Sequence, residues 1–192
     1  MANNRIPTWL KWSFTLMVCI IVPVYWRDLG VTNFLWFSDI ALIVMVPALW
    51  MENRLLSSTM AVSILFLELM WVVDFISGGN IMGIAAYIFA EESDWHIRIL
   101  SAAFHLALPP VLILMLRRLG YDRRALPLQI LLAMVVLTVT YLVSGPSENI
   151  NWVYGPGQLQ TWFPPLVYLG LFFVALVALV YLPSHWLFKR WF

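Results

Sequence analysis

The sequence predicts an all-α membrane protein: a polytopic bundle of six transmembrane helices with one short interfacial or re-entrant helix. Three observations predict this fold class. The 192 residues are 62% hydrophobic and only 11% charged, whereas soluble domains are about 45 to 50% apolar and about 25% charged. The mean hydropathy is +0.86, which is typical of a chain that lies in lipid. Six apolar runs are each long enough to cross a bilayer.

A helix needs about 20 mostly apolar residues to cross the hydrocarbon, and roughly 17 to 25 are tolerated. The runs that qualify are residues 9–25, 34–51, 60–76, 97–116, 126–143 and 162–181. A further apolar run, 81–90, is too short to span and follows Ser77-Gly78-Gly79, so we expect an interfacial or re-entrant helix there. Since no polar linker separates the runs, we expect one domain over 1–192.

The first run resembles a signal peptide because it follows Arg5 and carries Lys11. It contains Pro23 and lacks a small-residue cleavage site, which predicts a retained span. The connections after residues 25, 51 and 116 are short, so they predict antiparallel neighbouring helices. Two connections, 77–96 and 144–161, are long, and functional loops tend to be the long ones.

Basic residues predict the orientation, because cytoplasmic loops of membrane proteins are enriched in Lys and Arg. With six spans, only Arg27 and Arg98 fall on the outer side. The inner side holds Arg5, Lys11, Arg54, Arg117, Arg118, Arg123, Arg124, Lys189 and Arg190. We therefore expect the inner membrane of a bacterium, with both termini in the cytoplasm. The tryptophans cluster near the span ends, where amphipathic rings anchor a protein at the interface.

Several function classes are disfavoured by what the sequence lacks. The net charge of +1 provides no basic field for nucleic acid. The single Cys19 leaves no intrachain disulfide and no cysteine cluster for a metal. The sequence contains no HExxH, CxxC, GxGxxG or GxSxG motif, only one deep histidine and no deep lysine. We therefore expect no metal and no cofactor, and we expect membrane lipid, or other membrane subunits, as partners.

Four ionisable residues lie inside the apolar runs: Asp39, Glu68, Asp74 and His105. Such groups cost a few kcal/mol or more in hydrocarbon, so they usually face the protein interior and serve a function. At 1.5 Å per residue, Glu68 and His105 both lie about 12 Å below the outer boundary. The sequence therefore predicts an outward-facing polar cluster in which Glu68 pairs with His105.

Structural explanations compete with this prediction at each position. Asp39 is suited to cap a helix that begins at Ile40. Asp74 lies near enough to the boundary to be an ordinary acid at a helix end. Glu68 and His105 would also serve simply to hold two helices together. In the long loop 144–161, Asn149, Asn151 and Tyr154 can hydrogen-bond a head group, so with Asp74 they are candidate substrate-binding residues.

Two stretches resemble a known family. Residues 33–42, Asn-Phe-Leu-Trp-Phe-Ser-Asp-Ile-Ala-Leu, are similar to a segment of YwaF-like integral membrane proteins. Residues 104–109, Phe-His-Leu-Ala-Leu-Pro, resemble the histidine segment of those proteins and of the androgen-induced group of membrane hydrolases. The resemblance implies six spans and hydrolysis or transfer of fatty acyl esters. It also implies Ser38 as nucleophile, where the family has Cys or Thr, and His105 as base.

Two functions remain open at this stage. One is a lipid acyl-ester hydrolase or acyltransferase in which Ser38 attacks, His105 acts as base, and Glu68 or Asp39 orients that base. The other is a non-enzymatic component, either a small transporter or a subunit of a larger complex, that uses the buried acids and the histidine as a proton or substrate path. A Ser38 hydroxyl bonded to His105 favours the enzyme, and a polar channel reaching both faces favours transport.

Overall fold

The computed structural model describes residues 6–91 and 94–192, so Arg5, used above for the orientation, lies outside it. Within these ranges the protein is a bundle of apolar helices. They are α1 (Thr8–Asp28), α2 (Phe37–Trp50), α3 (Arg54–Ile76), α4 (Trp95–Leu119), α5 (Ala125–Val143), α6 (Pro165–Leu176) and α7 (Leu182–Trp191). A π-helical segment, Val177–Tyr181, joins α6 to α7, so the last three segments form one continuous helix. The fold is the helical membrane bundle predicted from the sequence.

Five of these helices are long and apolar enough to cross a membrane, counting Pro165–Trp191 as one, and α2 is a shorter apolar helix of 14 residues. Contacts between loops show which helix ends lie together. At one end, which we call the inner end, the Ile6 amide donates to Glu52 and the Arg54 guanidinium donates to the Tyr121 carbonyl. At the opposite, outer end, Thr32 donates to Glu148.

Helix α3 is the centre of the bundle. It packs against α2, α4 and α5 and also contacts the last helix. Most of its first half is buried, and it carries small or short side chains there, including Ser57, Ser58 and Ala61, so neighbouring helices approach closely. By contrast, α5 and α6 expose many large apolar side chains, as helices in contact with lipid do.

Two helices begin at residues other than the boundaries predicted for their spans. The second span was predicted from residue 34, but α2 begins at Phe37, because Val31–Leu35 forms a 3₁₀ turn. The third was predicted from residue 60, but α3 begins at Arg54. Its polar first turns remain helical because Asn53 caps the Leu56 amide at 3.0 Å and the hydroxyls of Ser57 and Thr59 bond carbonyls one turn back.

The first long outer loop folds back over the bundle. Residues 81–90, where a short helix was predicted, contain only a single 3₁₀ turn, Ala86–Ile88, in the part that the structure describes. Gly79 has φ +77° and lies very close to Ala86. A Cβ atom added to Gly79 would be only 2.6 Å from the Cα atom of Ala86. A side chain is therefore excluded at this crossing, and the loop packs tightly over α3 and α4.

Candidate functional site

The pair predicted from equal depth is present in the structure. Glu68 on α3 and His105 on α4 are buried, with 3% and 9% of their surfaces exposed. The Glu68 Oε2 atom lies 2.7 Å from His105 Nδ1. A carboxylate at this distance holds the imidazole in one orientation and favours a proton on Nδ1. The predicted contact between the two side chains is confirmed.

Aromatic rings enclose the imidazole. The Trp71 ring stacks on His105 with centroids 4.3 Å apart and planes 18° apart, and Phe75 also stacks on Trp71, with centroids 5.3 Å apart. Phe104 lies beside the imidazole, with centroids 4.0 Å apart, and contacts Tyr25 of α1 edge to face. Such packing excludes water and fixes the ring, so electrostatic interactions with Glu68 are stronger there than in water.

Hydroxyl groups extend the site toward the outer end. Ser101 lies one helical turn before His105, and its Oγ atom is 2.7 Å from the Tyr87 hydroxyl of the first outer loop. Tyr25 interacts electrostatically with Ser101, Asp39 and Tyr87. Burial raises the pKa of Tyr87 to about 12, so its hydroxyl keeps its proton at neutral pH. We name these residues the outer polar cluster: Tyr25, Asp39, Glu68, Tyr87, Ser101 and His105.

Asp39 lies in the first turn of α2 and is 3% exposed. The helix begins two residues before it, and Trp36 is the N-cap residue, so the alternative in which Asp39 caps a helix starting at Ile40 is wrong. Among the described residues, its Oδ1 atom has no hydrogen-bond partner, and Asn33 approaches Oδ2 only to 3.5 Å. Asp39 is nevertheless close enough to Glu68 to interact with it electrostatically.

Ser38 is half-buried on α2, next to Asp39. Within residues 6–91 and 94–192, no hydrogen bond joins the Ser38 hydroxyl to His105, whose ring bonds to Glu68 through Nδ1. Ser38 directly precedes Asp39 in α2, and adjacent helical residues point to different faces, so proximity in sequence does not put Ser38 in the outer polar cluster. Its role as nucleophile stays a prediction.

Asp74 organises the first outer loop. Its Oδ1 atom accepts hydrogen bonds from the amides of Ile81, Met82 and Gly83 at 3.1, 2.7 and 3.4 Å, and its Oδ2 atom accepts one from Ala85 at 2.8 Å. Four backbone donors around one carboxylate form an anion nest. In this structure Asp74 binds its own loop, and contact with a substrate stays a prediction.

The remaining predicted binding residues hold the second outer loop in place. Asn151 accepts from the Phe37 amide at 3.1 Å and donates to the Leu35 carbonyl at 2.6 Å, so it fastens this loop to the start of α2. Asn149 accepts from the Tyr154 amide at 3.0 Å. The Tyr154 hydroxyl donates to carbonyls at the end of α5. These bonds give the three residues a structural role, and their contact with substrate also stays a prediction.

A layer of apolar side chains closes the cluster toward the inner end. Its members are at most 1% exposed and come from α2 and α4. They are Leu42, Met45, Leu108 and Leu112. We call this layer the apolar floor. These four side chains provide no hydrogen-bonding groups, whereas α3 and α5 carry buried polar side chains such as Ser63 and Gln129.

Sequence reasoning missed Trp71, Tyr87 and Ser101. The four-residue spacing between Ser101 and His105 places both on one helix face and would have indicated Ser101. Trp71 lies three residues after Glu68, and this helical spacing would have indicated it as well. Nothing in the sequence indicates Tyr87, because its position depends on the loop conformation that the hydrogen bonds to Asp74 stabilise.

The arrangement supports acid and base chemistry by side chains. In the described part of the chain, no group of three or more His, Cys, Asp or Glu residues is placed to hold a metal ion. Comparisons with known proteins identify no relative: no family model, no curated protein and no solved structure matches the chain.

Proposed function

We propose that this protein is a membrane enzyme that hydrolyses or transfers the acyl ester of a lipid, with His105 as general base. The observation that supports it best is the buried hydrogen bond of 2.7 Å between Glu68 and His105. A base that is oriented by a carboxylate, and whose other nitrogen is available, is the arrangement that activates a hydroxyl group or a water molecule.

The proposed steps use Ser38 as nucleophile. Its Oγ atom bonds to the acyl carbon while His105 Nε2 takes the hydroxyl proton. The ester C–O bond then breaks, and His105 returns the proton to the departing alcohol. Water in a hydrolase, or a second alcohol in a transferase, repeats these steps in reverse and releases Ser38. Glu68 stabilises the imidazolium in both halves.

The location of the site fits a lipid substrate. Trp71, Phe75 and Phe104 surround His105 with apolar rings, and the cluster lies in the outer half of the bundle above the apolar floor. An acyl chain can therefore remain in the hydrocarbon while its ester reaches the polar groups. The two outer loops cover the site and would limit the entry of bulk water.

The test is turnover of glycerophospholipids and simple fatty esters by the purified protein, measured as released fatty acid by mass spectrometry. We expect His105→Gln to lower turnover by about a hundredfold or more, as loss of a general base does. His96→Gln is the matched control, because His96 pairs with Asp28 at the outer surface, away from the cluster. Loss of activity in both variants, or no turnover by the wild type, would contradict the proposal.

Ser38→Ala separates two mechanisms within the same assay. If Ser38 is the nucleophile, this variant is as inactive as His105→Gln. If it retains activity while His105→Gln does not, His105 activates water directly and Ser38 has no covalent role. Unfolding midpoints of all variants show whether a loss of activity reflects chemistry or loss of the fold.

A proton-exchanging membrane component is the second candidate, and Asp39 is the observation that favours it. The outer polar cluster contains two acids and one group able to carry a positive charge. An uncompensated buried charge costs several kcal/mol, so the cluster is suited to bind and release a proton. Proton uptake by proteoliposomes that Asp39→Asn abolishes, in a protein without esterase activity, would favour this candidate.

A further inference from the structure

A second group of ionisable side chains lies at the inner end, far from the outer polar cluster. His185 on α7 and Tyr121 in the connection between α4 and α5 are joined by a hydrogen bond of 2.8 Å between His185 Nδ1 and the Tyr121 hydroxyl. Arg123 and Lys189 both interact electrostatically with His185. Three groups able to carry positive charge therefore converge from two separate segments.

The nearby acid does not neutralise these groups. Asp122 forms an ion pair of 2.8 Å with Arg124, which lowers the pKa of Asp122 to about 2. Arg123 and Lys189 are exposed, and neither forms an ion pair with any residue in the described ranges. Converging like charges repel each other unless an anion lies between them, so this surface is complementary to a negatively charged group.

The loop between α4 and α5, which carries Tyr121, Asp122 and Arg123, is held in a fixed conformation. The Asp122 amide donates to Ser58 Oγ at 3.0 Å, the Arg54 guanidinium donates to the Tyr121 carbonyl, and the Tyr121 ring packs on Phe188. Arg123 is thus presented by an anchored loop. A site with a preformed backbone loses less conformational entropy when it binds a ligand.

The surroundings indicate where the anion belongs. Trp186 and Trp191 on α7 are 68% and 67% exposed, and exposed tryptophans at the end of a spanning helix lie at the level of lipid head groups. Basic pockets at this level bind the phosphate of anionic lipids. Arginine binds phosphate in a bidentate manner, and lysine binds it as a point charge.

We propose that Arg123, His185 and Lys189 form a binding site for the phosphate of an anionic phospholipid head group. When the Tyr121 hydroxyl donates to Nδ1 of His185, Nε2 carries the proton and donates to a phosphate oxygen. The site is independent of the proposed esterase activity, since it shares no residue with the outer polar cluster.

The test measures binding of dioleoylphosphatidylglycerol to the purified protein in detergent by native mass spectrometry, with dioleoylphosphatidylcholine as the neutral reference. We expect the Arg123→Gln/Lys189→Gln variant to bind phosphatidylglycerol at least about tenfold more weakly, since each basic side chain contributes several-fold. Phosphatidylcholine binding should be weaker than phosphatidylglycerol binding in the wild type and unchanged in the variant.

The matched control is Arg117→Gln/Arg190→Gln, which removes the same net charge from exposed positions at the same end. It should weaken binding by less than about threefold. If both double variants lose the same affinity for phosphatidylglycerol, the lipid is attracted by the overall positive charge of this end and not by a specific site, which would overturn the proposal. So would equal binding of the two lipids, or inorganic phosphate displacing the lipid at millimolar concentration. The unfolding midpoint of each variant confirms that the fold is intact.

Discussion

The carboxylates in the outer half of the bundle have different roles because their partners differ. Glu68 has an imidazole, Asp74 has four backbone amides, and Asp39 has no full partner among the described residues. Sequence position alone predicted that Glu68 and His105 meet, since depth along a helix can be counted. It could not predict the nest around Asp74, because that depends on the path of a loop 7 to 11 residues further along.

Asp74→Asn tests that nest. The amide side chain removes the negative charge and one acceptor, so we expect the loop to open more often and the amides of Met82 and Ala85 to exchange hydrogen faster. About tenfold faster exchange corresponds to roughly 1.4 kcal/mol of lost local stability. Hydrogen exchange followed by mass spectrometry measures it.

Asp94→Asn is the control for that experiment. Asp94 precedes α4, and its side chain caps no helix amide. Unchanged exchange in the Asp74 variant would show that the loop is held by packing alone, principally by the close approach of Gly79 to Ala86.

At the scale of the helices, the apolar runs predicted which elements exist but not where each one begins. Residues 54–59 were left outside the predicted span, because their polar side chains lower the mean hydropathy of the segment. The structure keeps them helical since Asn53 caps the first turn and Ser57 and Thr59 bond their own helix. The span of α2 was predicted to begin too early for the opposite reason: Phe34 and Leu35 are apolar but belong to the 3₁₀ turn Val31–Leu35.

Asn53→Ala tests the cap. Removing the acceptor for the Leu56 amide should lower the free energy of unfolding by about 1 kcal/mol. Asn53→Asp retains an acceptor at the same position and should keep most of the stability. Unfolding in SDS, followed by circular dichroism, compares the three proteins. An alanine variant as stable as the wild type would show that burial of α3 alone determines where this helix begins.

For the whole molecule, composition predicted the fold class, which the structure confirms, whereas the orientation inferred from charge stays a prediction. The structure places Ile6, Glu52, Tyr121 and Phe192 toward one end of the bundle. The chain therefore runs from one end of the bundle to the other an even number of times. Function was harder to predict, because an ionisable cluster serves an enzyme and a transporter equally well until its contacts are known. The contact between Glu68 and His105 is compatible with the proposed enzyme, with a proton path and with a purely structural link between two helices. The absence of a Ser38–His105 bond in the described region leaves the nucleophile to be tested.

The predicted orientation determines which positions should be accessible from outside the cell. In a background with Cys19 replaced by serine, a cysteine at Ser147 should react with a membrane-impermeant maleimide in intact cells. A cysteine at Arg117 should react only after the membrane is permeabilised. Both positions are exposed and lie at opposite ends of the bundle. The reverse pattern would place the termini outside the cell and contradict the distribution of basic residues.

The apolar floor has an electrical consequence. A dry layer carries most of the voltage across a membrane protein, and one charge that crosses the full membrane gains or loses about 2.3 kcal/mol per 100 mV. A proton that the proposed enzyme exchanges with the outer side alone crosses only part of that voltage, whereas a proton carried past Leu42, Met45, Leu108 and Leu112 to the other side crosses all of it. Turnover by the proposed enzyme would therefore depend less on the membrane potential than proton transfer by the alternative transporter.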